Sequence, residues 1–374
     1  MDANNSAEII YNGRVNKQRY FGKLLFLDII SNGKLVQGVF KRELLEDNFP
    51  KKGTIHVGDV VSVKGEKSPS DKRKESIEVA EFSVLSRNQS EILIEPINQN
   101  LVKRSEMNYQ LRKFLREKEY TEVELPVLHK GKIPSKSREF STAHVTIGDG
   151  LHLRKSTDVF LRKLALQGLD KVYSIGPNFR NEYISRDKIP EFNMLSLIKN
   201  YSSVSDLISL LRELINVTFQ KLSPDSLLAS EDIPVISYEE FISEFKDSEN
   251  AYNKAKLNTT KPCIIYGFPA CTNSVAQISN NTSEEFKLIF DGYTLVHGYS
   301  ELNDPIKLRE RLSQQRDFKE TGELEELLKD MEKGCPPATS MGLSLDRLSM
   351  ILCGAQNIRK VIAFPFSRLE KQNG

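Results

Sequence analysis

Residues 179–197, FRNEYISRDKIPEFNMLSL, decide the reading of this 374-residue chain. Phe179 is followed by Arg180, Asn181 and Glu182; a basic stretch with Arg186 and Lys188 then leads to Pro190, Glu191 and Phe192. The preceding KVYSIGPN reads as a strand, so the segment predicts a short hairpin with charges and aromatic rings near its tip. A guanidinium fixed on a strand can hold phosphate or carboxylate oxygens through two parallel hydrogen bonds, because it is planar and permanently charged. A lone strand arginine more often closes an ion pair. Glu182 and Phe192 shift that balance, since an adenine wants a partner for its exocyclic amine and an aromatic face for its ring. A second arginine, Arg347, lies in MGLSLDRLSMILCG (341–354), where a strand gives way to a helix and would hold it still.

Working outward, the length exceeds one ordinary core and predicts two domains. From Ile9 to about Ser86, short apolar runs (EIIYNGRV, GKLLFLDII, KLVQGVF, GDVVSVKGEK, SIEVAEFSVLS) alternate with turn signals such as Asn-Gly. Five strands with a helix-like KRELLEDNF after the third is the layout of an OB-fold, a common nucleic-acid binder. EKSPSDKRKES fits an exposed loop between two of the strands, and residues 87–104 read as a polar connector. SEMNYQLRKFLREKEYTEVELPVL then shows helical spacing followed by a strand ending at Pro126. DVFLRKLALQGL and SVSDLISLLRELINVTFQKL read as amphipathic helices; PCIIYGFP and EFKLIFDGYTLVHGYSELND read as strands; PPATSMGLSLDRLSMILCG reads as strand, turn and helix. The expected fold class is α+β: an OB-fold β-barrel over 1–88, a linker over 89–104, and an antiparallel β-sheet flanked by helices over 105–374.

Composition narrows the function. No apolar run approaches the ~20 residues of a membrane span, and MDANNSAEII lacks the basic start and apolar stretch of a signal peptide, so a cytoplasmic protein with no membrane partner is expected. Cys263, Cys271, Cys335 and Cys353 have no paired metal-ligand spacing and the five histidines are dispersed; reduced thiols and no zinc site are expected. Net charge is only +2, but residues 10–74 hold 14 Lys/Arg against 7 Asp/Glu, which fits either a solvated lysine-rich surface or a basic nucleic-acid-binding barrel.

FRNE…PEF.ML, GLSLDRL and the earlier TEVELPVL resemble motifs two, three and one of the class II aminoacyl-tRNA synthetases, in the family's order. KSTDVFLRKLALQGLDKVYSIGPNFRNE, FDGYTLVHGYSELNDP and the barrel resemble the lysyl-tRNA synthetases of subclass IIb, with the aspartyl and asparaginyl enzymes as cousins. The resemblance covers about residue 9 to Phe366. It implies ATP-dependent adenylation of lysine or a lysine-like amino acid and transfer to tRNA by a homodimer. By position, Arg180 would clamp the α-phosphate and carboxylate, Phe192 and Arg347 would sandwich adenine, and Glu182 would meet its edge. Arg180 and Arg347 are thus the catalytic candidates, and Arg186 and Lys188 fall where basic groups meet the terminal phosphate. The resemblance also places Asp158 on the α-amine and Glu301 on the ε-ammonium, with His297 and Tyr299 lining the same pocket. Arg14, Phe26 and Gln37 are the barrel's candidates for reading anticodon bases, by stacking and amide hydrogen bonds. Phe26 fits a core position equally well.

The sequence also departs from the family. Two carboxylates that would hold magnesium on the ATP phosphates are Lys287 and Thr294 here, which puts the Mg2+ site in doubt. Glu285, two residues away on the same strand face, is a weak substitute. Ser196 and Ile198 replace a Glu and a Tyr around the amino acid, and His297 replaces an asparagine. His297 reads as a hydrogen-bonded strand residue rather than a base. Two other functions stay open: a paralogue that passes its acyl group to a non-tRNA acceptor, and a catalytically silent tRNA-binding or regulatory protein.

Overall fold

The computed structural model describes residues 8–68, 75–90, 98–130, 137–270, 272–314 and 322–365. The chain divides into two compact units, Met1–Val102 and Lys103–Gly374. Cys271, part of the EKSPSDKRKES loop and residues 91–97 of the expected connector lie outside the described residues.

The first unit is a closed barrel of β1 (Ile9–Phe21), β2 (Leu24–Ser31), β3 (Lys34–Lys41), β4 (Val60–Lys67) and β5 (Glu75–Ser86), in the order β1-β2-β3-β5-β4. This is the OB-type arrangement that the strand pattern predicts, with the short helix α1 (Arg42–Leu45) after the third strand. Alternation decides the faces: Leu25, Leu27 and Ile29 are fully buried with Val36, Phe40 and Val63, while Phe26 points outward between them. Phe26 is therefore not barrel core.

The second unit is built on a nine-stranded sheet. Its members are β6 (Thr121–Glu122), β10 (Lys171–Phe179), β11 (Glu191–Asn200), β12 (Val235–Ser237), β13 (Cys263–Pro269), β14 (Ile278–Ser279), β15 (Thr282–Phe290), β16 (Tyr293–Ser300) and β17 (Ala338–Ser344). The order is β12-β13-β15-β16-β17-β11-β10-β6, with β14 on β15; the β12–β13 and β6–β10 pairs are parallel and the others antiparallel. A small sheet of β7 (Leu128–Lys130), β8 (Ser141–His144) and β9 (Gly148–Leu153) stands apart. The helices are α2 (Gln99–Glu117), α3 (Asp158–Leu166), α4 (Val204–Leu222), α5 (Tyr238–Ile242), α6 (Ala251–Leu257), α7 (Pro305–Ser313), α8 (Glu323–Met331) and α9 (Leu345–Cys353).

Three expectations need correction. α2 begins at Gln99, inside the segment read as a connector. The strand expected to run to Pro126 pairs only at Thr121–Glu122, because Leu125 and Pro126 give their carbonyls to the buried Arg154 guanidinium instead of to a neighbouring strand. No separate turn intervenes between β17 and α9: Ser344 ends the strand and also caps the helix, its Oγ accepting from Arg347 N.

One face of the sheet is apolar. Phe286, Leu288, Val296, Met341, Leu343, Leu195, Leu197 and Tyr173 form a core with residues of α2, α4 and α9. α4 shows why: Ser203 and Asp206 make a capping box, and Leu207, Leu211, Leu214, Ile215 and Phe219 recur on one stripe. Burying each such side chain contributes about 1.5–3 kcal/mol. The opposite face is left for chemistry. Among the described residues no helix is long and apolar enough to cross a membrane.

Candidate active site

Register lays out the floor of the site. Lys287 faces His297, His297 faces Gly342, Gly342 faces Ser196, and Ser196 faces Ser174. Two residues along, Glu285, Tyr299, Ser340 and Ile198 make a second row on the same face. A polar face in the middle of a sheet is costly to bury without partners, which marks it as a surface kept for a ligand. α3 closes one end, packing Leu161 and Ala165 against Ile198 and Val172.

Arg180 follows directly on β10. Its backbone is pinned by Arg180 N donating to Pro190 O at 2.8 Å across the hairpin. Beneath it, Arg154 donates through Nε to Pro177 O at 2.8 Å and through Nη1 to Leu125 O at 2.7 Å. Gly176 leaves it room, because a Cβ there would lie 2.6 Å from Arg154 Nη2 and push the guanidinium aside. The Arg180 guanidinium lies 5.0 Å from the Phe192 ring centroid, and its Nε is buried with no hydrogen-bond partner. Among the described residues it closes no ion pair. Burial lowers its pKa, opposed by the charges of Glu182 and Asp158 and aided by Arg347. A half-buried guanidinium whose Nε is enclosed without a partner calls for an anion.

Arg347 is positioned by its neighbour. Asp346, 1% exposed, pairs with Arg104 Nη2 at 2.6 Å and accepts from Asn193 N at 2.9 Å, which ties α9 to β11. Burial raises the Asp346 carboxyl against the pull of Arg104. Arg347 donates to Thr294 O at 3.1 Å and meets Asp187 Oδ2 at 3.3 Å. Burial would lift the Asp187 carboxyl, but the Ser185 hydroxyl at 2.8 Å and the Arg347 charge hold it below its usual value.

The amino-acid end is crowded with charge. Asp158 opens α3; it is solvent-reachable yet deep in the cleft, and burial raises its pKa against Ser156, Arg180, His297 and Arg162. Glu301 is 4% exposed and already engaged: Arg162 Nη1 meets Oε2 at 3.0 Å, and the Ser340 hydroxyl donates to Oε1. Burial still raises its carboxyl, opposed by Arg162 and Ser340. His297 Nε2 lies 2.6 Å from Glu285 Oε2, while Glu285 Oε1 is buried and unpartnered. Tyr299 is buried beside them, its phenol raised well above 10 by burial and by the Glu301 and Asp158 charges.

The structure thus gathers Asp158, His297, Tyr299 and Glu301 around one end of the floor and Arg347 with the 182–190 loop at the other, with Arg180 within electrostatic reach of Asp158 and Arg347. Glu182, Arg186 and Lys188 are exposed on that loop. Sequence reasoning missed Asp187, although it lies between two residues it named, and Arg162, whose spacing of four from Asp158 on a helix was the available signal. It missed Lys256, Tyr252 and Phe268 as well; no local pattern marks them.

The metal expectation can be tested on the donor set. Among the described residues no three His, Cys, Asp or Glu side chains form a group able to hold an ion. Lys287 Nζ sits 4.0 Å from the Phe268 ring centroid, and Glu285 gives Oε2 to His297 while its Oε1 is unpartnered. A lysine and a threonine at the two positions where the resemblance implies carboxylates make a poor donor set for magnesium, which is held on nucleotides through one or two carboxylates and phosphate oxygens.

In the barrel, Phe26 shares the outer face with Phe21, 5.9 Å away edge-on, and with Arg19, whose guanidinium is 5.9 Å from the Phe26 centroid. Gln37 Nε2 donates to Asp28 at 3.1 Å, as does Arg19 Nη2. Arg14 stands apart, paired with Ile30 rather than near Phe26 and donating to Gly58 O at 2.6 Å.

A family model described as tRNA synthetases class II (D, K and N) matches residues 85–368. The chain belongs to the class II tRNA synthetases. The match covers most of the chain and the whole of the floor just described. Among individual relatives of this synthetase, the "Lysine--tRNA ligase 2" of Methanosarcina mazei is 27% identical over 432 residues, covering 96% of this chain and 84% of that protein. The "Lysine--tRNA ligase" of Prochlorococcus marinus is 26% identical over 449 residues, covering 96% and 86%. That of Helicobacter pylori is 27% identical over 433 residues, with the same two shares. The synthetase is therefore lysyl-like in family position along nearly its whole length.

Proposed function

We propose that the chain adenylates an amino acid, lysine or a lysine-like one, at the expense of ATP and transfers it to tRNA. The observation that carries this is Arg180: a half-buried guanidinium with its Nε buried and unpartnered, no ion pair among the described residues, an aromatic ring on one side and the Asp158 charge within reach, in a chain whose relatives are named lysine–tRNA ligases. In the reaction a substrate carboxylate oxygen attacks the α-phosphorus, a P–O bond forms, and the bond to pyrophosphate breaks. Charge builds on the α-phosphate oxygens, and a preorganised cation there lowers the barrier. Arg180 would neutralise it and align both anions. For adenine to stack on Phe192, Arg180 must leave the ring face and turn toward the phosphate; Arg347 would cover the other side and Glu182 the edge. Asp158 would hold the α-ammonium, and Glu301, with His297 and Tyr299, the side chain. Arg186 and Lys188 would meet the terminal phosphate.

The barrel, taken as residues 1–88 and followed by a linker that gives way to α2 at Gln99, would read tRNA on the face of Phe26, Phe21, Arg19 and Gln37, where stacking and one amide suit splayed bases. The catalytic part, 105–374, would work in the cytoplasm as a homodimer joined near α2 and the Pro126 segment. Exchange of labelled pyrophosphate into ATP with each amino acid tests activation, and exchange with none refutes it. Exchange without charging of total tRNA favours a different acceptor. Lys287 in the cleft favours a silent binder, which the same assay separates, since that protein exchanges nothing.

A further inference from the structure

The cleft between the 180–190 loop and the β15–β16 hairpin adds two cations, Lys256 and Lys287, that the adenylation chemistry above does not use, to Lys188 and Arg347, which it does. α6 brings two of its residues to this place on one face, because Tyr252 and Lys256 are one turn apart. Tyr252 packs on Phe268 at 5.7 Å and Tyr238 at 6.1 Å, which seats the helix on the sheet. Its far end abuts the hairpin turn, where Gly292 N donates to Thr259 O at 3.2 Å. From the sheet, Lys287 rises between the same rings, its Nζ 4.0 Å from Phe268 and 5.4 Å from Tyr252. Lys256 lies within electrostatic reach of Arg347, Lys188, Asp187 and Lys287.

Among the described residues Lys188, Lys256 and Lys287 close no ion pair. The acids at hand are Asp187, already shared by Ser185 and Arg347, and Glu285, which gives Oε2 to His297, leaves Oε1 unpartnered and offsets part of the Lys287 charge without closing an ion pair with it. A cation–π strut accounts for Lys287 alone. It does not account for three lysines and an arginine converging where they repel one another. Burial lowers the pKa of both Lys256 and Lys287, the first pushed further by Arg347 and Lys188. An anion of several charges between its members would relieve that repulsion.

We propose that this synthetase holds the polyphosphate tail of its nucleotide without magnesium, on the ammonium groups of Lys188, Lys256 and Lys287 beside Arg347. The inference rests on the reading of the cleft as a nucleotide site and specifies how its charge is balanced. The lysines replace a metal as counter-charge: among the described residues no three His, Cys, Asp or Glu side chains are grouped to hold an ion, and an ammonium stands at position 287 where the resemblance implies a carboxylate.

Titration calorimetry of the full chain with ATP and with AMP, each in EDTA and in magnesium, tests it. ATP is expected to bind in EDTA within about threefold of its affinity in magnesium. Lys256→Met with Lys287→Met should weaken ATP by about tenfold or more per lysine while leaving AMP unchanged, which also shows that the variant is folded. ATP binding that appears only with magnesium overturns the inference and leaves the nucleotide site standing. Absence of both ATP and AMP binding in every condition overturns the site reading and the inference with it. Equal weakening of ATP and AMP in the double variant assigns the lysines to structure and also overturns it.

Discussion

Replacing Arg180 by methionine separates a catalytic cation from a structural one. Methionine keeps an unbranched stem against Phe192 and removes the charge. The lost cation–π contact costs about 0.5–2 kcal/mol. Against that, the variant no longer buries a guanidinium whose Nε lacks a partner, a desolvation cost of about 1–3 kcal/mol. The two nearly cancel, so stability should change by less than about 1 kcal/mol, and the melting midpoint by no more than about 4 °C. Catalysis should suffer far more, since removing one preorganised donor from developing charge costs about 2.7–4 kcal/mol, or about 10²–10³ in rate. Pyrophosphate exchange and a thermal melt on the same preparation read both quantities. A large drop in melting temperature with exchange intact would show that Arg180 only braces the hairpin.

Three further changes are informative. Asp187→Asn should raise KM for ATP by up to about fivefold with kcat nearly kept, because Arg347 loses a partially exposed partner rather than its charge; steady-state kinetics read this. The Asp187 carboxyl is held below its usual value, so this pair persists through the ordinary carboxylate range and is lost only as pH falls through the lowered pKa. Asp158 behaves oppositely: its raised carboxyl means that affinity for an α-ammonium fades as pH falls from a higher starting point than for free aspartate, and binding releases a proton in that window. Calorimetry in buffers of differing ionisation enthalpy should show the release and Asp158→Asn should abolish it; a flat profile would remove Asp158 from the site. Gly65→Ala should destabilise the barrel by about 1–3 kcal/mol or more, because a Cβ would sit 1.8 Å from Glu78 O; an unchanged denaturant midpoint would contradict the β4–β5 register.

Elements whose period is local were legible in the sequence. The five barrel strands, α3, α4 and β15–β16 all follow from alternation or helical spacing, and the hairpin around Arg180 from its turn residues. What failed depended on partners distant in the chain. The 123–126 segment looks like a strand but spends its carbonyls on Arg154, and α2 reaches back to Gln99 through residues with no apolar stripe. In the site, the motif residues are far apart in sequence, and their pairings were invisible there. Glu301 is engaged by Arg162, 139 positions earlier in the chain, and Arg347 by Asp187 across the cleft. The outward face of Phe26 was decidable only once the register with Arg19 and Val39 was known. Lys256 carries no local signal, because its meaning comes from the sheet it packs on.

The most direct test is a crystal structure with a non-hydrolysable lysyl-adenylate analogue. The account predicts the adenine against Phe192 with Arg347 over it, the Arg180 guanidinium on the phosphate-mimicking oxygens, and the α-ammonium at Asp158. An analogue bound elsewhere, or a cleft in which Arg180 stays over the Phe192 ring with the analogue present, would contradict it.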